Sequence, residues 1–197
     1  VAVTRRLAEI GKGHRRLLSL VDGADLAAPS ALPGWSRLHV VVHVANLAAA
    51  FTRQAEYALA GRTIEVYDGG AAGRAAAIEA GAARPAEEAL RGLSAATTEL
   101  ERVWGTAGEA DWRRPVSYRQ GDLAGTVLAY WRELEVHTAD LDLGYRTSDW
   151  PDELCAHLEE FLGSRLPEGA GLVGTAQERA AQLAGRAPCP VDLGPWP

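Results

Sequence analysis

Apolar residues recur at three- and four-residue spacings through most of this chain, and only a helix places that period on one face. Across residues 3–21 they fall at Val3, Leu7, Ile10, Leu17, Leu18 and Val21. A turn-rich connection, DGADLAAPSALPGW, follows. Ser36 then stands where an N-cap belongs, ahead of an apolar run to about Ala60. Residues 73–105 predict a third helical stretch, broken near Gly81–Pro85. Asp122 is the candidate cap of a fourth, running to about Leu143. Residues 151–164, with Pro151 in the first turn, predict a fifth, and residues 175–184 a short further segment. Brief extended structure is expected only at Thr63–Tyr67 and around DWRRPVSYRQGD. Four long helices with medium loops predict an all-α bundle, whose core can hold a site built from facing side chains.

The chain's 197 residues suit one domain with at most a small appendage. Gly and Pro become dense from Pro167 onward, so residues 1–165 are expected to form the bundle and 166–197 a short C-terminal segment. A net charge of −6 argues against nucleic-acid binding, which needs a basic face. No apolar stretch is long enough to span a membrane. The amphipathic, charged N-terminus does not read as a signal peptide, so a cytoplasmic protein is expected. There Cys155 and Cys189, too far apart for a metal motif, are expected to stay free thiols.

Chemistry concentrates on two of the helices. Glu133 and His137 are four apart in YWRELEVHTADL, which puts a carboxylate and an imidazole on one helical face. His43 lies upstream in LHVVVHVANLAAAF, where His39, His43, Asn46, Ala50 and Arg53 form a stripe on a mostly apolar helix. Thr126, Tyr130, Glu133, His137 and Asp140 form a second stripe. If the two face each other, His43, Glu133 and His137 supply three metal ligands and leave one position open, as a catalytic zinc needs. If they do not, Glu133 and His137 are a solvated pair and His43 a core histidine bonded to a nearby acceptor. His39 with His43 is a weaker candidate metal pair. Asp140, one turn after His137, either orients that ligand or sits at an exposed helix end. His14 and His157 read as surface residues, Arg5, Arg6, Arg15 and Arg16 as a solvated face, Trp35 as a plug at the helix entry, and Gly69–Gly70 with the following AAG as a flexible turn.

At these residues the chain resembles a known family. LPGWSRLHVVVHVA is similar to the Leu-x-Gly-Trp-[Ser/Thr] signature and His-bearing helix of the mycothiol-dependent maleylpyruvate isomerases, members of the DinB-like four-helix bundle superfamily. RELEVHTADL resembles that family's Arg-Glu-x-x-x-His-x-x-Asp-Leu stretch, and LAGR with PVDLGPWP its tail. The resemblance implies that His43, Glu133 and His137 bind zinc or another divalent metal, and that Arg186 acts in catalysis by holding a substrate carboxylate. It implies mycothiol, the thiol of actinobacteria, as cosubstrate and a small electrophilic acid as substrate. In the isomerase reaction the thiolate adds to the cis double bond of maleylpyruvate, the single bond rotates, and elimination gives fumarylpyruvate. Two departures are visible. Residues 166–197 leave room only for a remnant of the family's small α/β domain, and Asn46 stands three residues after His43 where four is common. Both bear on the substrate side, so a mycothiol S-transferase or biosynthetic tailoring enzyme is the alternative activity, and a non-catalytic metal-binding bundle a third reading. A monomer or homodimer fits any of these.

Overall fold

A computed structural model describes residues 2–197. Among them are seven α-helices and no strand: α1 (Ala2–Val21), α2 (Arg37–Leu59), α3 (Gly70–Ala82), α4 (Ala86–Gly105), α5 (Leu123–Asp140), α6 (Asp152–Leu162) and α7 (Ala176–Leu183). The chain divides into two compact units, Val1–Leu143 and Gly144–Pro197. Helix α6 falls within the second of these units.

In the first unit α2 packs on α4, α5 and α3, while α1 packs on α5 and α4. The core is made where these stripes meet: Ile10 and Leu17 from α1, Val41 and Phe51 from α2, Leu100 and Trp104 from α4, Leu134 from α5. Gly13 lets α1 approach α5, since a Cβ there would stand 2.7 Å from Leu134 Cδ2. A glycine inside a helix costs about 1 kcal/mol relative to alanine. The close approach is what that cost secures.

Local chemistry sets the helix ends. Ser36 Oγ accepts from His39 N while His39 Nδ1 accepts from Ser36 N, a capping box in which histidine replaces the usual Glu or Gln. The helix stops at Gly61, in the left-handed region at φ +71°. Arg62 N donates to Tyr57 O and Gly61 N to Ala58 O, the Schellman pairing. Asp122 Oδ1 caps α5 by accepting from Gly125 N at 2.9 Å. That helix ends at Asp140 rather than Leu143, because Asp142 takes φ +52° and no right-handed helix passes through it. The long third stretch is broken as its sequence suggests, between Ala82 and Ala86, with Pro85 at the N-cap of α4.

The expected extended pieces are mostly absent. Thr63–Tyr67 forms no strand, and its carbonyls are taken by side chains, Ile64 O by Gln54 and Ser117 and Glu65 O by Arg53. Around residues 109–122 one short 3-10 turn precedes, and a second lies within, the loop closed by an isolated antiparallel bridge between Pro115 and Asp122. The four N-terminal arginines divide: Arg5 and Arg15 are exposed, whereas the Arg6 guanidinium lies 3.4 Å over the Trp131 ring and Arg16 pairs with buried Glu135.

In the second unit α6 and α7 pack together. Thr175 caps α7 through a capping box with Glu178. Cys155 and Cys189 are both free thiols, and burial pushes that of Cys155 up to about 11. No helix of the described residues is long and apolar enough to cross a membrane.

Candidate metal centre

His43 sits in the second turn of α2, among valines, and is 1% exposed. Glu133 and His137 stand one turn apart on the face of α5 that meets α2. Glu133 Oε2 is 3.5 Å from His43 Nε2 and 3.4 Å from His137 Nε2. One ligand atom from each of the three lies within 4.8 Å of the other two. In a tetrahedral zinc site, with bonds of about 2.0–2.1 Å, neighbouring ligand atoms stand about 3.3–3.4 Å apart. Both measured edges match that spacing. His43 Nε2 is buried and has no hydrogen-bond partner, an orphan that a metal would satisfy. Two imidazoles and one carboxylate therefore fit a zinc-type ion, and Glu133 and His137, 25% and 12% exposed, leave the cluster open on their side.

Asp140 is 1% exposed, and its Oδ2 lies 2.9 Å from His137 Nδ1. This excludes the exposed helix-end role. At this distance the carboxylate, though off the line of a hydrogen bond, favours the proton on Nδ1 and leaves the Nε2 lone pair toward Glu133 and His43. Electrostatics follow from burial and neighbours. Burial lowers His43 to about 4, helped by His137 and Arg74 and opposed by Glu133. For Glu133 burial acts upward, yet the two imidazoles outweigh it and hold the carboxylate well below its usual range. Burial acts downward on His137, but Asp140 and Glu133 raise it. The site thus holds one firmly ionised carboxylate between two imidazoles of opposite tendency.

The stripes divide once folded. Asn46, Ala50 and Arg53 continue from His43 into a cleft of about 280 Å³, whose other wall includes Tyr67, Asp68 and Gly73. His39 stays outside the cluster, with Nδ1 in the cap and Nε2 3.6 Å from Glu79. Trp35 stacks on His39 and meets His43 edge-on, with ring centroids 6.1 and 5.8 Å away. Tyr130 faces the core instead, where its hydroxyl pairs with His14 Nε2 at 2.8 Å, and His14 Nδ1 lies 2.5 Å from Glu101 Oε1. His14 is therefore buried, contrary to its reading as a surface residue. Its place between Ile10 and Leu17, on the apolar spacing of α1, was the available signal. Arg74 had none: it follows a glycine- and alanine-rich stretch, yet its Nη2 lies 3.3 Å from His43 Nδ1. Arg186 lies in the C-terminal unit, where its amide closes the Schellman turn after α7 and its Nη1 donates to Ala184 O at 2.7 Å.

Residues 7–142 match the family described as the mycothiol maleylpyruvate isomerase N-terminal domain. The chain belongs to that family. Two solved structures share the fold of this member. A mycothiol-dependent maleylpyruvate isomerase superposes with a TM-score of 0.85 at 22% identity, covering 100% of this chain and 96% of that one. A single-substitution variant of a mycothiol-dependent maleylpyruvate isomerase gives 0.84 at 22% identity, over 95% and 90%. A search of the curated proteins finds no match.

Proposed function

We propose that this family member is a zinc-dependent enzyme that uses a low-molecular-weight thiol, mycothiol, to isomerise a small cis-unsaturated acid of the maleylpyruvate type. The observation that carries this reading is the convergence of His43, Glu133 and His137, with Glu133 Oε2 3.5 and 3.4 Å from the two imidazoles, one helical turn from the cleft that Asn46 lines. A zinc ion bound there supplies positive charge that lowers the pKa of a thiol and polarises a carbonyl. His43 and His137 would hold it through Nε2 and Glu133 through Oε2. Asp140 keeps His137 in the ligating tautomer. The valines around His43 exclude water from the inner side, leaving the ligand to enter past Glu133 and His137. Arg186 is the family-derived candidate for a carboxylate clamp, a role that suits a planar two-pronged donor. In the same reading Gly144–Pro197 stands for the family's C-terminal region, and the protein works in the cytoplasm as a monomer or homodimer.

Zinc content and isomerisation of maleylpyruvate, with and without mycothiol, test the proposal in the parent protein and in His137→Ala. The expected result is one zinc per chain and thiol-dependent isomerisation, both lost in the variant. Zinc retained by His137→Ala would refute the ligand set. Zinc without isomerisation, accompanied by thiol adducts on another electrophile, would replace isomerase by S-transferase.

A further inference from the structure

Arg74 projects from α3 to the edge of the metal cluster, half-buried. Its guanidinium can only donate, so the contact at 3.3 Å uses His43 Nδ1 as an acceptor. A histidine that ligates a cation through Nε2 carries its proton on Nδ1. Two donors would then face each other, and Arg74 would need another acceptor. Among the described residues no carboxylate forms an ion pair with Arg74, and the Glu133 carboxylate of the cluster lies between the two imidazoles. The Tyr67 hydroxyl faces the same guanidinium.

The neighbouring cleft repeats this excess of donors. Asn46 lines it, one turn beyond His43, and its Nδ2 is buried without a partner. Asp68, the carboxylate in the wall, is already matched by Arg53 at 3.0 and 2.9 Å. Gly73 fixes the backbone before Arg74, since a Cβ there would stand 1.8 Å from Asp68 O. Arg74 thus lies between the metal cluster, which it meets at His43, and a cleft whose wall includes Tyr67 and Asn46.

We infer that Arg74 is the specificity-determining residue that receives a carboxylate of the substrate at the metal centre, with Asn46 and Tyr67 as the polar groups beside it. The inference rests on the metalloenzyme reading and adds the ligand's anionic handle to it. A planar guanidinium takes a carboxylate through two parallel hydrogen bonds, which an ammonium cannot reproduce.

Calorimetric titration of zinc-loaded protein with maleate tests the inference, with maleamide as the uncharged probe of like shape and zinc content measured alongside. Arg74→Gln is expected to keep its zinc and to weaken maleate binding about ten- to a hundred-fold, the loss typical of a charge-assisted hydrogen bond. Maleamide binding should be unchanged, and Arg74→Lys should fall between parent and Arg74→Gln. Maleate binding unchanged in Arg74→Gln overturns the inference, as does an equal loss for both probes, which would mark Arg74 as a wall. Loss of zinc in both variants also overturns it, by assigning Arg74 to support of His43. A parent protein without zinc overturns the metalloenzyme reading as well. Arg74-dependent maleate binding without turnover of maleylpyruvate overturns the reaction alone.

Discussion

Asp140 shows how a single side chain can set what a candidate metal site offers. Its Oδ2 lies 2.9 Å from His137 Nδ1, which favours the proton on that nitrogen and leaves Nε2 available. Asp140→Asn is expected to weaken zinc binding about ten- to a hundred-fold with little change in helicity, measured by competition against a chromophoric chelator. Unchanged affinity would mean that Glu133 and His43 alone orient the ring. His14 gives a residue-scale prediction away from the site. Burial lowers its pKa, with Glu101 pulling the other way, so the folded protein resists a proton that the unfolded chain accepts. Below about pH 6.5 the unfolded state then binds more protons, and stability falls as the pH falls. Melting temperatures between pH 7.5 and 5 should decline less steeply in His14→Gln than in the parent protein. Parallel profiles would dismiss His14 as a source of acid sensitivity. Of the residues at the cluster, the three candidate metal ligands were legible from spacing and order. Arg74 was not, because nothing local marks a residue whose role comes from a helix distant in sequence.

At the scale of elements, cap chemistry and close packing hold α2 and α5 where the ligands meet. Ser36→Ala removes half of the capping box at the entry to α2 and should cost about 1 kcal/mol, read from thermal or denaturant unfolding. Gly13→Ala should cost about 1–3 kcal/mol, because the added methyl meets Leu134 in a packed α1–α5 seam. A neutral or stabilising outcome would show that the seam can open. The helices themselves were readable from their periods and caps, including the break before Pro85. The strand expectation at Thr63–Tyr67 failed for a physical reason: an extended backbone becomes a strand only beside a partner, and here Gln54, Ser117 and Arg53 take its carbonyls.

For the whole molecule, a metal held at the candidate site would couple to stability. A ligand that binds only the folded state at a hundred times its Kd stabilises by about 2.7 kcal/mol. Chelation of zinc is therefore expected to lower the melting temperature by about 5–10 °C. The shift should vanish in His43→Ala, measured by scanning calorimetry with and without chelator. An equal shift in that variant would place the stabilising metal elsewhere.

Sequence alone determined the helical class, the helix starts at Ser36 and Asp122, and the candidacy of His43, Glu133 and His137, because periods, caps and i,i+4 spacing are local properties. Tertiary structure decided that α2 and α5 bring those three together, that Tyr130 and His14 turn into the core, and that Arg74 reaches the cluster. Which face of a helix meets which neighbour depends on packing across the whole unit, and no window of sequence carries it.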